Sequence, residues 1–132
     1  MRLVTAILVS GLALAGVLKL MAGTSPDVPI ADPSIAMRGA KVSNKCIACH
    51  ALESRVNNVG PHLVGLLGRP AGAVEGYQYS EAMKASKVVW DAQSLKQFLM
   101  GPQQFIAGTN MGISPLTEGE ADELVSYLES MQ

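Results

Sequence analysis

Three rhythms of apolar and polar residues divide this 132-residue chain. The first is an uncharged, mostly apolar run of sixteen residues from Leu3 to Leu18, bracketed by Arg2 and Lys19. It is slightly longer than a usual signal-peptide core and slightly short of a comfortable membrane span. Residues 1–23 are therefore expected to be a secretory signal peptide, with an uncleaved N-terminal membrane anchor as the alternative; Ala13-Leu14-Ala15 fits the small-residue cleavage pattern. Residues 24–31, with Pro26 and Pro29 among small and polar neighbours, read as an extended linker, or as a tether if the leader is kept. From residue 32 a helical rhythm begins. Asp32 is a good N-cap and Pro33 suits the first helical position. Ile35, Val42, Cys46 and Cys49 then fall on one face at 100° per residue.

The rhythm dissolves from residue 57 to 79, where Gly60, Pro61, Gly65, Gly68, Pro70, Gly72 and Gly76 exclude a long regular element. A loop of that length in a small domain is usually functional. Residues 80–86 suit a short helix. Asp91 caps a clearer one with Leu95, Phe98 and Leu99 inward, which Gly101-Pro102 stops. The last helix opens on a capping box, Thr117 with Glu120, and presents Ala121, Leu124, Leu128 and Met131 on one side with Tyr127 beside them. The first and last helices, each with one apolar face, are expected to pack together. The pattern predicts an all-α domain over 32–132, short helices joined by long Gly/Pro-rich loops.

Composition sharpens this picture. Only 5% of residues are aromatic and there are 13 glycines, a thin supply for the core of a small domain. A large apolar cofactor at the centre would make up the deficit. Removing residues 1–23 takes away Arg2 and Lys19, leaving eight basic against eleven acidic side chains, a formal charge of −3. No Lys or Arg follows Lys96, while Glu118, Glu120, Asp122, Glu123 and Glu129 crowd the C-terminus. Nucleic-acid binding is excluded for want of a basic patch.

The cofactor is indicated by Cys46-Ile47-Ala48-Cys49-His50, which holds both cysteines and one of the two histidines. Two thiols three residues apart followed at once by an imidazole is the arrangement that fixes a c-type haem. Each thiol forms a thioether to one vinyl group, and His50 falls beneath the iron. A structural zinc site needs four ligands and would have to recruit His62, yet no second C-x-x-C or H-x-H group exists. A thiol-disulfide oxidoreductase would set C-x-x-C in a βαβ context that this chain lacks. Two incidental buried cysteines beside a chance histidine is the bland alternative. A single covalent haem c explains more. His/Met ligation then requires a distant methionine. Met37, Met83, Met100, Met111 and Met131 compete. Met100 and Met131 sit on apolar helix faces and are expected in the core, whereas Met111 lies in a Gly-rich, non-helical segment able to bring sulfur to iron.

From residue 32 to the C-terminus, the chain resembles class I cytochrome c, the group containing mitochondrial cytochrome c and bacterial cytochrome c2. Four motifs in order carry the resemblance: the C-x-x-C-H site; Gly60-Pro61-His62-Leu63-Val64-Gly65 with Gly68-Arg69; Gly76-Tyr77-Gln78-Tyr79-Ser80 with Trp90; and Gly108-Thr109-Asn110-Met111. It implies that the Pro61 carbonyl accepts from the free ring nitrogen of His50. It also implies that Arg69, Tyr77, Tyr79, Ser80 and Trp90 surround the inner haem propionate, where buried carboxylates need donors, and that Phe98 and Thr109 stand against the cofactor.

By the same resemblance, the activity is single-electron transfer rather than catalysis. A monomer shuttles between a quinol:cytochrome c reductase (bc1-type) donor and a terminal oxidase or other acceptor, on the periplasmic side of a bacterial-type inner membrane. A fixed electron-entry cytochrome subunit of a larger dehydrogenase, and a haem peroxidase or gas-binding protein with a labile Met ligand, are the alternatives. The departures are specific. Phe98 stands where mitochondrial members carry a tyrosine whose hydroxyl bonds the Met sulfur. Ala107 replaces a proline that braces the Met loop, so a looser loop is expected. Gln103, Gln104 and Asn110 replace lysines around the haem edge, and His62 takes a variable polar position expected to be partly exposed.

Overall fold

The computed structural model describes residues 32–132; the leader and linker expected at 1–31 lie outside the described residues. Among these there are five α-helices and no strand, only an isolated antiparallel bridge between Pro70 and Val89.

Helix α1 spans Pro33–Val42, with the Asp32 carboxylate accepting from the Ser34 N–H at 2.9 Å and proline at the first position. It ends earlier than the apolar face suggested. A 3₁₀ turn, Ser43–Lys45, follows, and the cysteines sit on the turns after it rather than on α1. Cys49 and His50 both donate their N–H to the Cys46 carbonyl, at 2.9 and 2.8 Å. The turn keeps helical hydrogen bonding locally, and a 3₁₀ turn at the end of an α-helix is common.

Helix α2, Glu81–Ala85, is the short helix expected near residue 80, with Ser80 as its N-cap. Helix α3, Ala92–Met100, opens on a capping box in which the Asp91 carboxylate accepts from the Ser94 N–H and the Ser94 hydroxyl accepts from the Asp91 N–H. Gly101 ends α3 as expected, but Pro102 also begins something: α4, Pro102–Phe105, is one turn with proline at its start. Proline lacks the N–H that a continuing helix needs, and a first turn does not need it. Helix α5, Glu118–Ser130, carries the expected Thr117–Glu120 box.

Helix α1 packs across α5, and α3 packs on α5 as well. The α1–α5 approach is set by Gly39, where a Cβ would overlap the Glu123 carbonyl and Tyr127. Ion pairs rim the contact: Arg38 with Glu123, Lys45 with Glu120 at 2.6 Å, and Lys96 of α3 with Asp122 at 2.7 Å and Glu118 at 3.0 Å. All are partly exposed, so they orient the helices more than they stabilise them. Beneath lies one cluster including Val42, Leu95, Phe98, Leu99, Ala121, Leu124 and Leu128.

The loop from 57 to 79 is pinned rather than slack. Gly60 donates to the Cys49 carbonyl at 2.7 Å and Leu63 to that of Ala51 at 2.8 Å. Further on, Gly68 donates to the Trp90 carbonyl and Trp90 to the Arg69 carbonyl, at 2.7 and 3.0 Å. Gly65, Gly68, Gly72 and Gly76 all have positive φ, between 64° and 81°, which makes glycine the unstrained residue at each turn.

Candidate haem site

Between the helices and this loop lies a mostly apolar cavity of about 390 Å³. The C-x-x-C-H turn contributes Cys46, Cys49 and His50; the loop contributes Gly60, Pro61, Leu63, Leu66 and Arg69; α3 and α5 contribute Leu95, Phe98, Leu99, Leu124 and Leu128. Thr109, Asn110 and Met111 enter from the last loop. Every residue expected from the sequence to touch the cofactor therefore lines this one space.

His50 is held in a defined orientation. Its Nδ1 lies 2.6 Å from the Pro61 carbonyl oxygen, which can only accept, so Nδ1 carries the proton and Nε2 keeps a free lone pair. Gly60 permits this, since a Cβ there would run into the imidazole ring. The two thiols are half-buried, and burial pushes the Cys46 thiol above its ordinary range, partly offset by Lys45.

The polar end of the cavity is formed by Arg69, Tyr77, Gln78, Tyr79 and Ser80. These groups are not equally free to bind a carboxylate. The Arg69 guanidinium donates to the carbonyls of Val64 and His62, both at 3.0 Å. Tyr77 donates to the Val59 carbonyl at 2.7 Å, so its hydroxyl proton ties two loop segments. Tyr79 instead accepts from the Val74 N–H at 3.4 Å, and Ser80 accepts from the Met83 N–H at 3.2 Å. Both hydroxyls keep a proton to give. Burial raises the Tyr79 phenol, an effect that the Val74 N–H and Arg69 oppose, and burial lowers the Arg69 guanidinium. Trp90 is buried against Phe98 with ring centroids 5.0 Å apart.

Phe98 is 4% exposed and offers the cavity no hydroxyl. Met83 of α2 is also buried and lines the cavity, so α2 adds a second thioether side chain to the apolar lining. Met111 is half-buried there, its N–H donating to the Thr109 hydroxyl at 3.3 Å.

Three expectations fail. Met100 is not core but 38% exposed at the end of α3, and Met131, just past the end of α5, is half-buried and outside the core cluster; neither lines the cavity, and that, rather than core packing, sets both apart from it. His62 is not partly exposed but 8% exposed. The hydrogen bond from its N–H to the Asn57 side chain, together with Arg69 on its carbonyl, folds the loop over it. Sequence reasoning also passed over Asn57, and read Gln103 only as a haem-edge replacement rather than as a brace of the Met111 loop. Asn57 accepts from the His62 N–H at 3.2 Å and donates to the Glu75 carbonyl at 3.0 Å, joining two parts of the loop. Side-chain amides among glycines and prolines were the available signal.

A cytochrome c family model matches residues 36–132, which contain every residue lining the cavity. The chain belongs to the cytochrome c family. Cytochrome c-550 of Ancylobacter novellus is 42% identical over 98 residues, 70% of this chain and 92% of that protein. Cytochrome c type-1 of Ascaris suum is 37% identical over 106 residues, covering 79% and 92% respectively. Among solved structures, cytochrome cH from Methylobacterium extorquens aligns with a TM-score of 0.67 at 37% identity, over 72% of this chain and 97% of that one. The fold is that of a class I c-type cytochrome, and its cofactor is haem c, for which Cys46 and Cys49 have the attachment spacing. The residues present fit the group: an apolar slot for the macrocycle, two thiols, an oriented imidazole with a free lone pair, and a donor-rich end for carboxylates. This cytochrome is an electron-transport protein.

Proposed function

We propose that His50 and Met111 are the axial ligands of the haem held by Cys46 and Cys49. On this proposal the protein passes single electrons from a quinol:cytochrome c reductase-type donor to a terminal oxidase or other periplasmic acceptor. The domain over 32–132 would act on the outer side of a bacterial-type inner membrane, released by cleavage of the leader or tethered by residues 1–31. Among the described residues no helix is long and apolar enough to cross a membrane.

The observation that supports this reading most is the His50–Pro61 hydrogen bond, because it aims a free imidazole nitrogen into the cavity that Met111 also lines. When bound, the haem supplies a site that gains or loses one electron at the iron. The chain's own contribution is to limit everything else. Pro61 keeps the His50 ring in one tautomer and orientation. The loop carrying Thr109 and Met111 would hold the Met111 sulfur to the iron, which would leave no place for a small molecule to bind. Leu95, Phe98, Leu99, Leu124 and Leu128 keep water from the macrocycle. Arg69, Tyr79 and Ser80 offer donors to a propionate, and Trp90, which also lines the cavity, offers its indole N–H.

The test is the spectrum of Met111→Ala. Loss of the thioether–iron band of the oxidised protein, a lowered midpoint potential and new carbon monoxide binding are expected, with the parent unreactive. A variant with the parent's spectrum and potential would remove Met111 as ligand and with it the closed-site carrier.

A further inference from the structure

On the outer side of Arg69 lies a second concavity of about 490 Å³, open to solvent and separate from the haem cavity although Arg69 borders both. Arg55, His62 and Arg69 supply its cationic and titratable nitrogens; Glu75 stands at its rim, and the backbone of Val64, Gly65 and Gly76 completes the bowl. Nothing in the electron-carrying role uses Arg55 or His62.

His62 is the informative group. It is nine-tenths buried, and its Nδ1 has no hydrogen-bond partner, the only such buried side-chain polar atom among the described residues. Leaving an imidazole nitrogen buried and unsatisfied is unfavourable, and groups of this kind call for an explanation. Arg55 is exposed and forms no ion pair among the described residues, so its guanidinium is also available. Glu75 carries the opposing charge but is exposed and joins no ion pair among the described residues.

We propose that Arg55, Arg69 and His62 form a binding site for a small phosphate-type oxyanion on the surface of this cytochrome, next to the haem site and sharing Arg69 with it. Two guanidinium groups bring positive charge and, at Arg55, a fork of donors matched to a tetrahedral oxyanion. His62 borders the concavity and brings to it a ring whose Nδ1 is unpartnered. Burial first, then Arg69 and Arg55, lower the His62 pKa and favour the neutral imidazole. A bound dianion would offset both guanidiniums and favour the protonated ring, so anion and proton would enter together. Tyr79, which faces Arg69 from the haem side, keeps its phenol proton throughout.

Inorganic phosphate is the probe, titrated into the reduced holoprotein at pH 7 with chloride holding ionic strength constant and backbone amides followed by NMR. Saturable shifts are expected at Val64, Gly65, Val74 and Gly76, with the His62 ring titrating at higher pH in phosphate than in chloride. Arg55→Gln should weaken binding about tenfold or more, and Arg55→Lys, which keeps charge but loses the fork, should fall between. Arg55 is exposed, and an unchanged haem spectrum confirms an intact fold in both variants. The site is overturned if chloride reproduces the shifts, if they do not saturate, or if Arg55→Gln binds phosphate like the parent. None of these outcomes depends on the identity of the sixth iron ligand, which the Met111→Ala spectrum reports separately.

Discussion

Gln103 and Thr109 are joined across the turn that leads to Met111: the Gln103 side-chain amide donates to the Thr109 carbonyl at 2.7 Å, and its oxygen accepts from the Gly108 N–H at 3.3 Å. One carboxamide thus closes the loop in which Ala107 stands where proline was expected to brace it. The brace comes from a side chain at the start of α4 instead of from a restricted backbone. Gln103→Ala should lower stability by about 1 kcal/mol in urea unfolding and let added imidazole displace the sixth ligand at lower concentration. Gln103→Glu, which sets a carboxylate against the Thr109 carbonyl, should do at least as much. Parent-like behaviour in both assays would show that the loop holds itself.

Gly39 makes the crossing of α1 and α5 possible. In an isolated helix, Gly39→Ala would gain about 1 kcal/mol of propensity. Here the added methyl meets the Glu123 carbonyl and Tyr127, and forcing the helices apart should cost about 1–3 kcal/mol. Thermal unfolding of this variant should therefore show a net loss. A gain would mean that the two helices have slack at that point.

Asn57 uses both ends of its amide inside the loop. Asn57→Ala leaves the His62 N–H and Glu75 carbonyl without it and should destabilise by about 1–3 kcal/mol. Asn57→Asp keeps the acceptor for His62 and should recover part of the loss. Hydrogen exchange at the His62 amide reads the effect directly, and unchanged protection in Asn57→Ala would contradict it.

Glu120 couples stability to acid. The Lys45 ammonium, and then the Thr117 N–H, hold its carboxyl at about 2 against an ordinary 4.5. Because the folded value is depressed, its contribution is complete above pH 4.5 and is lost as pH falls through about 2. Glu120→Gln should be less stable than the parent at neutral pH and lose stability less steeply over that acid range. Added salt should narrow the difference, since the pair is solvent-accessible. Identical acid-unfolding curves would remove the coupling.

Partner docking should depend weakly on salt. Gln103, Gln104 and Asn110 are exposed around the Met111 loop, and no Lys or Arg occurs after Lys96. Charge steering needs a concentrated field of one sign. Electron-transfer rates with the purified redox partner should change by less than about tenfold between low and physiological ionic strength. A steep decline with added salt would place a charged docking face elsewhere on the surface.

Local chemistry made much of this protein legible. Asp32 with Pro33, Asp91 and Thr117 with Glu120 marked the starts of α1, α3 and α5, because caps act within one turn. The attachment turn and the cavity-lining place of Met111 were readable for a related reason: haem c needs thiols and imidazole at fixed spacing, and a loop methionine differs in kind from one on a helix face. The inward face of α3 followed from periodicity alone, and that of α5 did so except that Val125, not Met131, joins Ala121, Leu124 and Leu128 in the core.

Other features depended on contacts between residues far apart in the chain. Where α1 stops could not be read from a face that continues to Cys49, since Cys46 and Cys49 keep the period on the turns that follow the 3₁₀ segment ending it. The burial of His62, the closeness that requires Gly39, and the carbonyls that Asn57 and Gln103 find all depend on which segments meet. The chemical inventory and the helix starts are properties of neighbouring residues and survive without any fold. Burial and hydrogen-bond partnership belong to pairs of distant residues, so they came into being only when the loop closed over the cavity.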